Sequence, residues 1–469
     1  MTSTESKQKT SELLPPEMQL SARQHRIVDR LAGLPGRTGP VGLLPDISFK
    51  PKNPYPTGAV TCFEDHLAPA AIGASINCGM SFLRLLADGT DISQSDWRRV
   101  LEEIDRAAKD FTADTPSLTE DALYKGLLDP HGFVSDLGYS SDEIQRIEAS
   151  GFRLCDAITA EEITQSVPEF AIRGTLLSVG ELGGGNHFIE FHRANEIEQP
   201  AVAETLGIKP GGYTMAVHSS GPLGPLVSLM YSRRPEVSGT LAFKMAIRKA
   251  LFHLRLPAGF SSLLAVLRGA QSLPVNSALG QSFAHAYDAA AACGYIHRAM
   301  IVQKIREILD TTLGVGAELV CDLSHNGIWR ETIGGQEVFV HRHGACSFRP
   351  PGFFPEGHPY AETGQPAFVG SSMSTPSAIV VPGDSAAKTH YSINHGTGRV
   401  QEKSHAPATS AAEYLESRGI VAHVSGSGSI AGQLGYNYRP IEDVMSVLTG
   451  AGVARPVAMV TPVASLKYT

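Results

Sequence analysis

Apolar positions recur at helical spacing in three stretches. Between Ser95 and Lys109, Trp97, Val100, Leu101, Ile104 and Ala107 or Ala108 share one face. Ser95 is the candidate cap of this helix, and Asp96 stands in its first turn. Ala242 to Arg255 and Ser282 to Asp310 predict longer helices. Elsewhere the period shortens. "TLLSVGELGGGNHFIEFH" reads as a strand, a glycine-dense turn and a second strand. Toward the C-terminus, "VFVHR", "AFVG", "AIVVPG" and "VAMVTPV" are short β-rich runs between Gly/Pro turns. Residues 36–60, with Pro51, Pro54, Pro56 and Gly58, predict loop between short strands. Residues 1–20 are polar and contain two prolines, which predicts a frayed, disordered tail. Neither a repeat nor a clean linker divides the remainder. One large α+β domain over residues 21–469 is the expected organisation.

The composition supports that organisation. Hydrophobic residues are 42% and charged residues 18% of 469, enough for a packed core and too apolar for general disorder. A net charge of −8 excludes a polycation that coats nucleic acid, but leaves room for a local basic groove. Six cysteines, none in a C-x-x-C pair, are too sparse for a disulfide scaffold and suit a reducing compartment. No apolar run reaches the ~18–20 residues that span a bilayer. The N-terminus has no apolar signal core. A soluble, cytoplasmic protein without membrane partners is the expectation.

Histidines carry the chemical signal. His187 follows Gly183-Gly184-Gly185-Asn186, His218 opens "HSSGPLG" after "YTMAV", His325 sits in "CDLSHNG" and His395 in "NHGTGR". Cys78, in "INCGM", has the same kind of neighbours. Taken singly, each reads as a loop or core residue. Five such positions at strand ends beside small residues point to a shared site. Imidazole and thiolate suit first-row divalent metals. "GGGNHF" and "HGTGR" suit an anion, with a tight turn as the alternative. Neither matches a P-loop or a dinucleotide fingerprint. The residues by themselves therefore predict a Cys/His metal site beside a glycine-rich anion loop.

In their order, "LLPD", "INCGM", "GGGNHFIE", "HSSGPLG", "SHN", "VHRHGA", "SSMSTPS", "NHGTGR" and the terminal "LKYT" resemble the RtcB family of RNA-splicing ligases over roughly residues 40–469. The resemblance implies an α+β fold of mixed and antiparallel sheets with flanking helices. It implies a manganese- and GTP-dependent RNA ligase of RNA repair or tRNA splicing. That activity joins an RNA 3′-phosphate or 2′,3′-cyclic phosphate end to a 5′-hydroxyl end. It further implies that Cys78, His187, His218 and His325 bind metal, with Cys78 bridging two ions. His395 would be the nucleophile that carries GMP. Asn186, His187, Phe188, Ile189 and Glu190 would line the nucleotide, with Glu190 at the guanine edge. His325, Asn326, Gly370, Ser371, Ser372, Met373, Ser377, Gly396, Thr397 and Gly398 would contact phosphate and ribose, and Lys467 would close over the base.

Several positions depart from the family pattern. Ser75 replaces the aspartate three residues before the cysteine; Glu64 or Asp65 would have to substitute in space. Ser48 stands in place of the histidine of "PD-x-H-x-G". "HSSGPLG" lacks the arginine of "HSGSRG", and Arg342-His343-Gly344-Ala345-Cys346-Ser347 lacks a lysine and an arginine of "RKGATR". These differences describe a divergent paralogue that keeps the nucleotide side and has lost phosphate-facing charge. The alternatives are a degenerate member that binds GTP or RNA without sealing, and a metal-dependent phosphoryl-transfer enzyme with another substrate. No sequence feature specifies an activating protein.

Overall fold

The computed structural model describes residues 10–50, 53–87, 89–111, 118–148, 153–232, 239–268, 271–400, 410–426 and 428–469. Its centre is an eight-stranded sheet. Seven strands run in the order Ala367–Val369, Ser377–Pro382, Ala454–Tyr468, Phe188–Ile197, Tyr213–Ser219, Gly79–Leu86 and Gly316–Ser324. All neighbours along that path are antiparallel. The eighth strand, Val421–Ser425, lies parallel to the second half of the long C-terminal strand. Mixed and antiparallel sheets with flanking helices are thus the architecture.

Alternation along the strands separates two cores. Ile189, Phe191, Met215, Val217, Leu83 and Leu85 face a helical layer. Met80, Phe82, Ala216 and Val460 face the opposite side, where Ile379, Phe348 and the helix Ile441–Gly450 close a second core. In the helical layer, Trp97 packs 4.7 Å from Phe191 and 5.5 Å from Tyr213, centroid to centroid. Burying an aromatic of this size contributes ~2–3 kcal/mol. The helix Ala278–Leu313 runs behind the sheet. Its Ala289–Cys293 stretch is buried, and small side chains there let it lie close to the strands.

A second, five-stranded sheet combines Thr10–Glu12, Arg37–Ser48, Thr57–Phe63, Gln336–His343 and Asn326–Ile333. It corrects two expectations. Residues 10–12 are not a frayed tail, because they pair in parallel with Val41–Leu43; residues 1–9 lie outside the described residues. The stretch expected to be mostly loop contains a 12-residue strand whose pairing shifts between Thr38 and Gly42 and between Leu43 and Ser48. Those shifts accommodate Gly39 and Pro40, which a regular ladder would not.

Three further expectations need adjustment. The "TLLSVG" run is not a strand: the helix Glu169–Leu176 takes its first two residues, and Leu177 caps that helix. The helix expected from Ser95 spans Gln94–Phe111. Its cap is Ser93, whose Oγ accepts from the Asp96 amide (3.2 Å) while Asp96 Oδ2 accepts from the Ser93 amide (3.3 Å). The other two helices extend to Gly239–Arg255 and Ala278–Leu313. No described helix is long and apolar enough to cross a membrane.

Candidate active site

Cys78 lies at the exit of a tight turn just before the strand Gly79–Leu86. Its amide donates to the Ser75 carbonyl (3.0 Å), and its carbonyl accepts from the His325 amide (2.8 Å). Asn77 adopts a left-handed conformation (φ 54°), which asparagine tolerates better than most residues. The long helix fixes this turn. Arg298 Nη1 donates to the Asn77 carbonyl (2.7 Å) and Nη2 to its Oδ1 (3.2 Å). Arg298 Nε reaches Asp322 Oδ1 and Oδ2 at 3.1 and 3.0 Å. All three side chains are buried. The ion pair thus couples helix, turn and the strand Gly316–Ser324 immediately behind Cys78.

The histidines arrive from neighbouring strand ends. His218 Nε2 lies 3.3 Å from Cys78 Sγ and 3.0 Å from His325 Nε2. His187 Nε2 lies 3.7 Å from the same sulfur. His218 Nδ1 lies 3.0 Å from the Asn186 carbonyl. A carbonyl can only accept, so Nδ1 carries the proton and Nε2 presents its lone pair to the cluster. Burial holds His187 near a pKa of about 4 and drives His218 and His325 well below the usual value, so all three imidazoles are neutral. The same burial pushes the Cys78 thiol up to about 12. Only a cation at the sulfur would favour its thiolate there.

These features fit a metal. Donor atoms of Cys78, His218 and His325 lie within 4.8 Å of one another. The orientation of His218 is fixed by a second hydrogen bond of the kind that accompanies metal ligation. No carboxylate joins the cluster among the described residues. Ser75 offers its carbonyl to Cys78 and Asn326, Asp65 pairs with His66, and Glu64 accepts from Gln336.

A cavity of about 690 Å³ opens from this cluster. Strand alternation directs Met80, Phe188, Glu190 and His218 into it. His395 also lines it. Its ring stacks on His325, with centroids 4.4 Å apart. Its Nδ1 lies 2.9 Å from the Gly344 carbonyl and 3.0 Å from Asp46 Oδ2. Nδ1 is therefore the protonated nitrogen, and Nε2 keeps a lone pair free for the cavity. Gly344 has φ 69°, and a Cβ there would fall 2.3 Å from Thr57 Cγ2 and 3.4 Å from His395 Cε1. Gly398 is equally constrained: φ is 73°, and a Cβ would fall 2.9 Å from the Asp46 carbonyl oxygen.

At the opposite wall, Asn186, Phe188, Glu190 and Lys467 meet. Lys467 Nζ lies 5.7 Å from the Phe188 ring centre. Burial lowers its pKa to about 8, against the opposing pull of Glu190. Glu190 Oε1 in turn lies 2.8 Å from His192 Nε2, which orients the carboxylate. Gly370, Ser371, Ser372, Met373, Gly396, Thr397 and Gly398 also line the cavity.

Some expected residues play other parts. Ile189 does not line the cavity; it points into the helical core because its neighbours Phe188 and Glu190 point the other way. Ser377 lies beneath the wall, where its Oγ accepts from the Ser371 amide (3.0 Å). Asn326 is also structural: its Oδ1 accepts from the Gly344 amide (2.9 Å) and its Nδ2 donates to Ser75. The amides of the Gly370–Ser374 loop are all engaged, by hydroxyls of Ser372, Thr375 and Ser377 and by the His395 and Gln433 carbonyls, so this loop offers no free N–H groups. Arg399 lines the cavity, yet its guanidinium is tied to the Gly432 carbonyl, Gln433 and Tyr438. Sequence reasoning assigned no role to Asp46 or Arg298. Asp46 belongs to the quoted "LLPD" motif, which was the available signal.

The site so defined is that of an RNA ligase family. A family model described as "tRNA-splicing ligase RtcB" matches residues 27–468, and the chain belongs to that family. It is 26% identical over 457 residues to an RNA-splicing ligase RtcB of Mycobacterium bovis, covering 94% of this chain and 99% of that protein. A tRNA-splicing ligase RtcB of Pyrococcus horikoshii is 28% identical over 83% of this chain and 44% of its own length. The namesake of Aeropyrum pernix is 26% identical, over 88% and 85% respectively.

Proposed function

We propose that the protein is a GTP- and manganese-dependent ligase that joins RNA 3′-phosphate or 2′,3′-cyclic phosphate ends to 5′-hydroxyl ends. The observation that carries this reading is the free Nε2 of His395. His395 lines the cavity, while the Gly344 carbonyl holds the opposite nitrogen in its protonated form, with Asp46 Oδ2 3.0 Å away. A neutral imidazole with a fixed tautomer is a competent nucleophile toward phosphorus. His395 Nε2 attacks the α-phosphorus of GTP, a P–N bond forms, and the P–O bond to pyrophosphate breaks. Where the end is a 2′,3′-cyclic phosphate, water first opens the ring at the 2′-oxygen to leave a 3′-phosphate. An oxygen of that 3′-phosphate then attacks the GMP phosphorus, and the P–N bond to His395 breaks. Attack by the 5′-hydroxyl forms the phosphodiester and releases GMP.

Cys78, His187, His218 and His325 would hold the metal, which when bound offsets charge on the phosphates and aligns the leaving group. Asp46 stabilises the charge that His395 acquires while bonded to phosphorus. Glu190 and Lys467 place an acceptor and a donor at the end of the cavity where a guanine would lie. Six free cysteines, one of them in the cluster, suit the reducing cytoplasm.

The test is a joining assay. One labelled RNA ending in a 3′-phosphate and one beginning with a 5′-hydroxyl are incubated with the protein, manganese and GTP. The expected result is a joined product that requires both GTP and metal. Tight GTP binding without joined product, for either 3′-phosphate or cyclic-phosphate ends, would identify a nucleotide-binding member that does not seal.

A further inference from the structure

The cavity does not end at its rim. Gln24, Phe49 and Lys50 line both it and a neighbouring groove of about 900 Å³. The groove runs along the helix Ala22–Ala32, whose residues Arg23, Arg26 and Arg30 line it. Spacings of three and four residues put these arginines on one helical face. All three are exposed, as is Lys50. Among the described residues of this lining, four cationic side chains stand with one anionic one, Asp29, in a chain whose net charge is −8. Such a local excess of positive charge, opposite in sign to the whole, is the footprint of a polyanion rather than of general solubility.

Geometry narrows the ligand. From Arg23 to Arg30 the helix rises ~10 Å, at ~1.5 Å per residue. That length is enough to span a few phosphates of a nucleic-acid strand. Phe49, half-buried where groove meets cavity, offers an aromatic face to a base at the junction. "HSSGPLG" and Arg342–Ser347 lack cationic residues of the family pattern, and Arg342 itself is buried against Glu331. The cationic residues of the groove supply charge on another element.

We infer that the groove along Ala22–Ala32 is the track of the RNA strand, with Arg23, Arg26 and Arg30 on successive phosphates and Phe49 guiding the terminal nucleotide into the cavity. This rests on the ligase reading, since the track leads to His395. The three arginines meet the strand only outside the cavity, so they have no part in nucleotide addition.

The test separates the two. A fluorescent single-stranded RNA of about 12 nucleotides, within the usual single-strand site sizes, is titrated by anisotropy over a range of salt. The triple variant R23A/R26A/R30A is expected to bind at least about tenfold more weakly at low salt. Its log–log salt slope should be shallower by about 2, at ~0.7 for each phosphate no longer neutralised. R23K/R26K/R30K should keep most of the slope, since charge is retained. Covalent GMP addition, assayed without RNA, should match the parent in both variants. Parent-like affinity and slope in the alanine variant would overturn the track. So would an equal loss in the lysine variant with unchanged slope, which would point to shape rather than charge. Failure of GMP addition in the parent would count against the ligase reading and leave the salt-slope comparison intact.

Discussion

The two ends of the cavity are built on opposite principles. At the Cys78 end, donor atoms converge: His218 Nε2, with its lone pair set by the Nδ1 contact to the Asn186 carbonyl, meets Cys78 Sγ and His325 Nε2. At the Gly370–Thr375 end, nothing converges. The Ser371 and Ser372 hydroxyls each lie 2.7 Å from Thr375 Oγ1, and the loop amides are taken up by the Thr375, Ser372 and Ser377 hydroxyls and by the His395 and Gln433 carbonyls. The first arrangement is complete only with a ligand. The second is a finished wall. Removing one group from the first should therefore be far costlier to function than removing one from the second.

The comparison is sharpest at Cys78. Cys78→Ala should lower bound metal by elemental analysis and slow joining by about a thousandfold or more, since a metal's charge stabilisation is worth several kcal/mol. Cys321, equally buried but packed in the apolar second core, is the control. Cys321→Ala should retain metal, and full metal content in Cys78→Ala would break the comparison at its strongest point.

Next in size is the support behind the cluster. Arg298→Met strands Asp322 as an unpaired buried charge, a loss of ~3–5 kcal/mol by chemical denaturation. The double variant Arg298→Met/Asp322→Leu removes both charges and should recover part of that loss. No recovery would mean that the bonds to Asn77, rather than the ion pair, carry the stabilisation.

A smaller effect is expected from pH. Lys467 has its pKa lowered to about 8 by burial, with Glu190 pulling the other way and Arg399 adding to the lowering. It is charged below that value and neutral above it. GTP affinity measured by calorimetry should accordingly weaken several-fold as pH rises through about 8. Lys467→Arg, charged throughout, should flatten the profile. The smallest effect belongs to the finished wall: Ser372→Ala should change GTP affinity by no more than about twofold, within ~0.5 kcal/mol. A large loss there would show that its hydroxyl serves the ligand rather than the loop.

Much of the site was legible because residue type and company coincide. Cys78, His187, His218, His325 and His395 all sit beside Gly, Asn or Ser at strand ends, and the fold brings all five together. Their partners were less visible. Arg298 lies in a helix that reads as small and apolar, and only the tertiary packing against Asp322 and Asn77 reveals its part. Asp46 stands far from His395 in sequence, and no local pattern links a strand residue to a loop histidine across two sheets. The "TLLSVG" run was misread because a short apolar stretch has no decisive period. The helix that ends in this run starts upstream of it, where Pro168 at the cap and Glu169 in the first turn favour a helix N-terminus. The strand Arg37–Ser48 was hidden by glycine and proline that its shifts in pairing accommodate.

The central claim is that His395 Nε2 becomes bonded to GMP. The most direct measurement is intact-mass spectrometry of the parent and His395→Ala after incubation with manganese and GTP, followed by peptide mapping. The account predicts a mass increase of one GMP in the parent, mapped to His395, and none in the variant, whose metal content and melting profile match the parent. A GMP adduct that persists in His395→Ala, or that maps to a lysine, would contradict it.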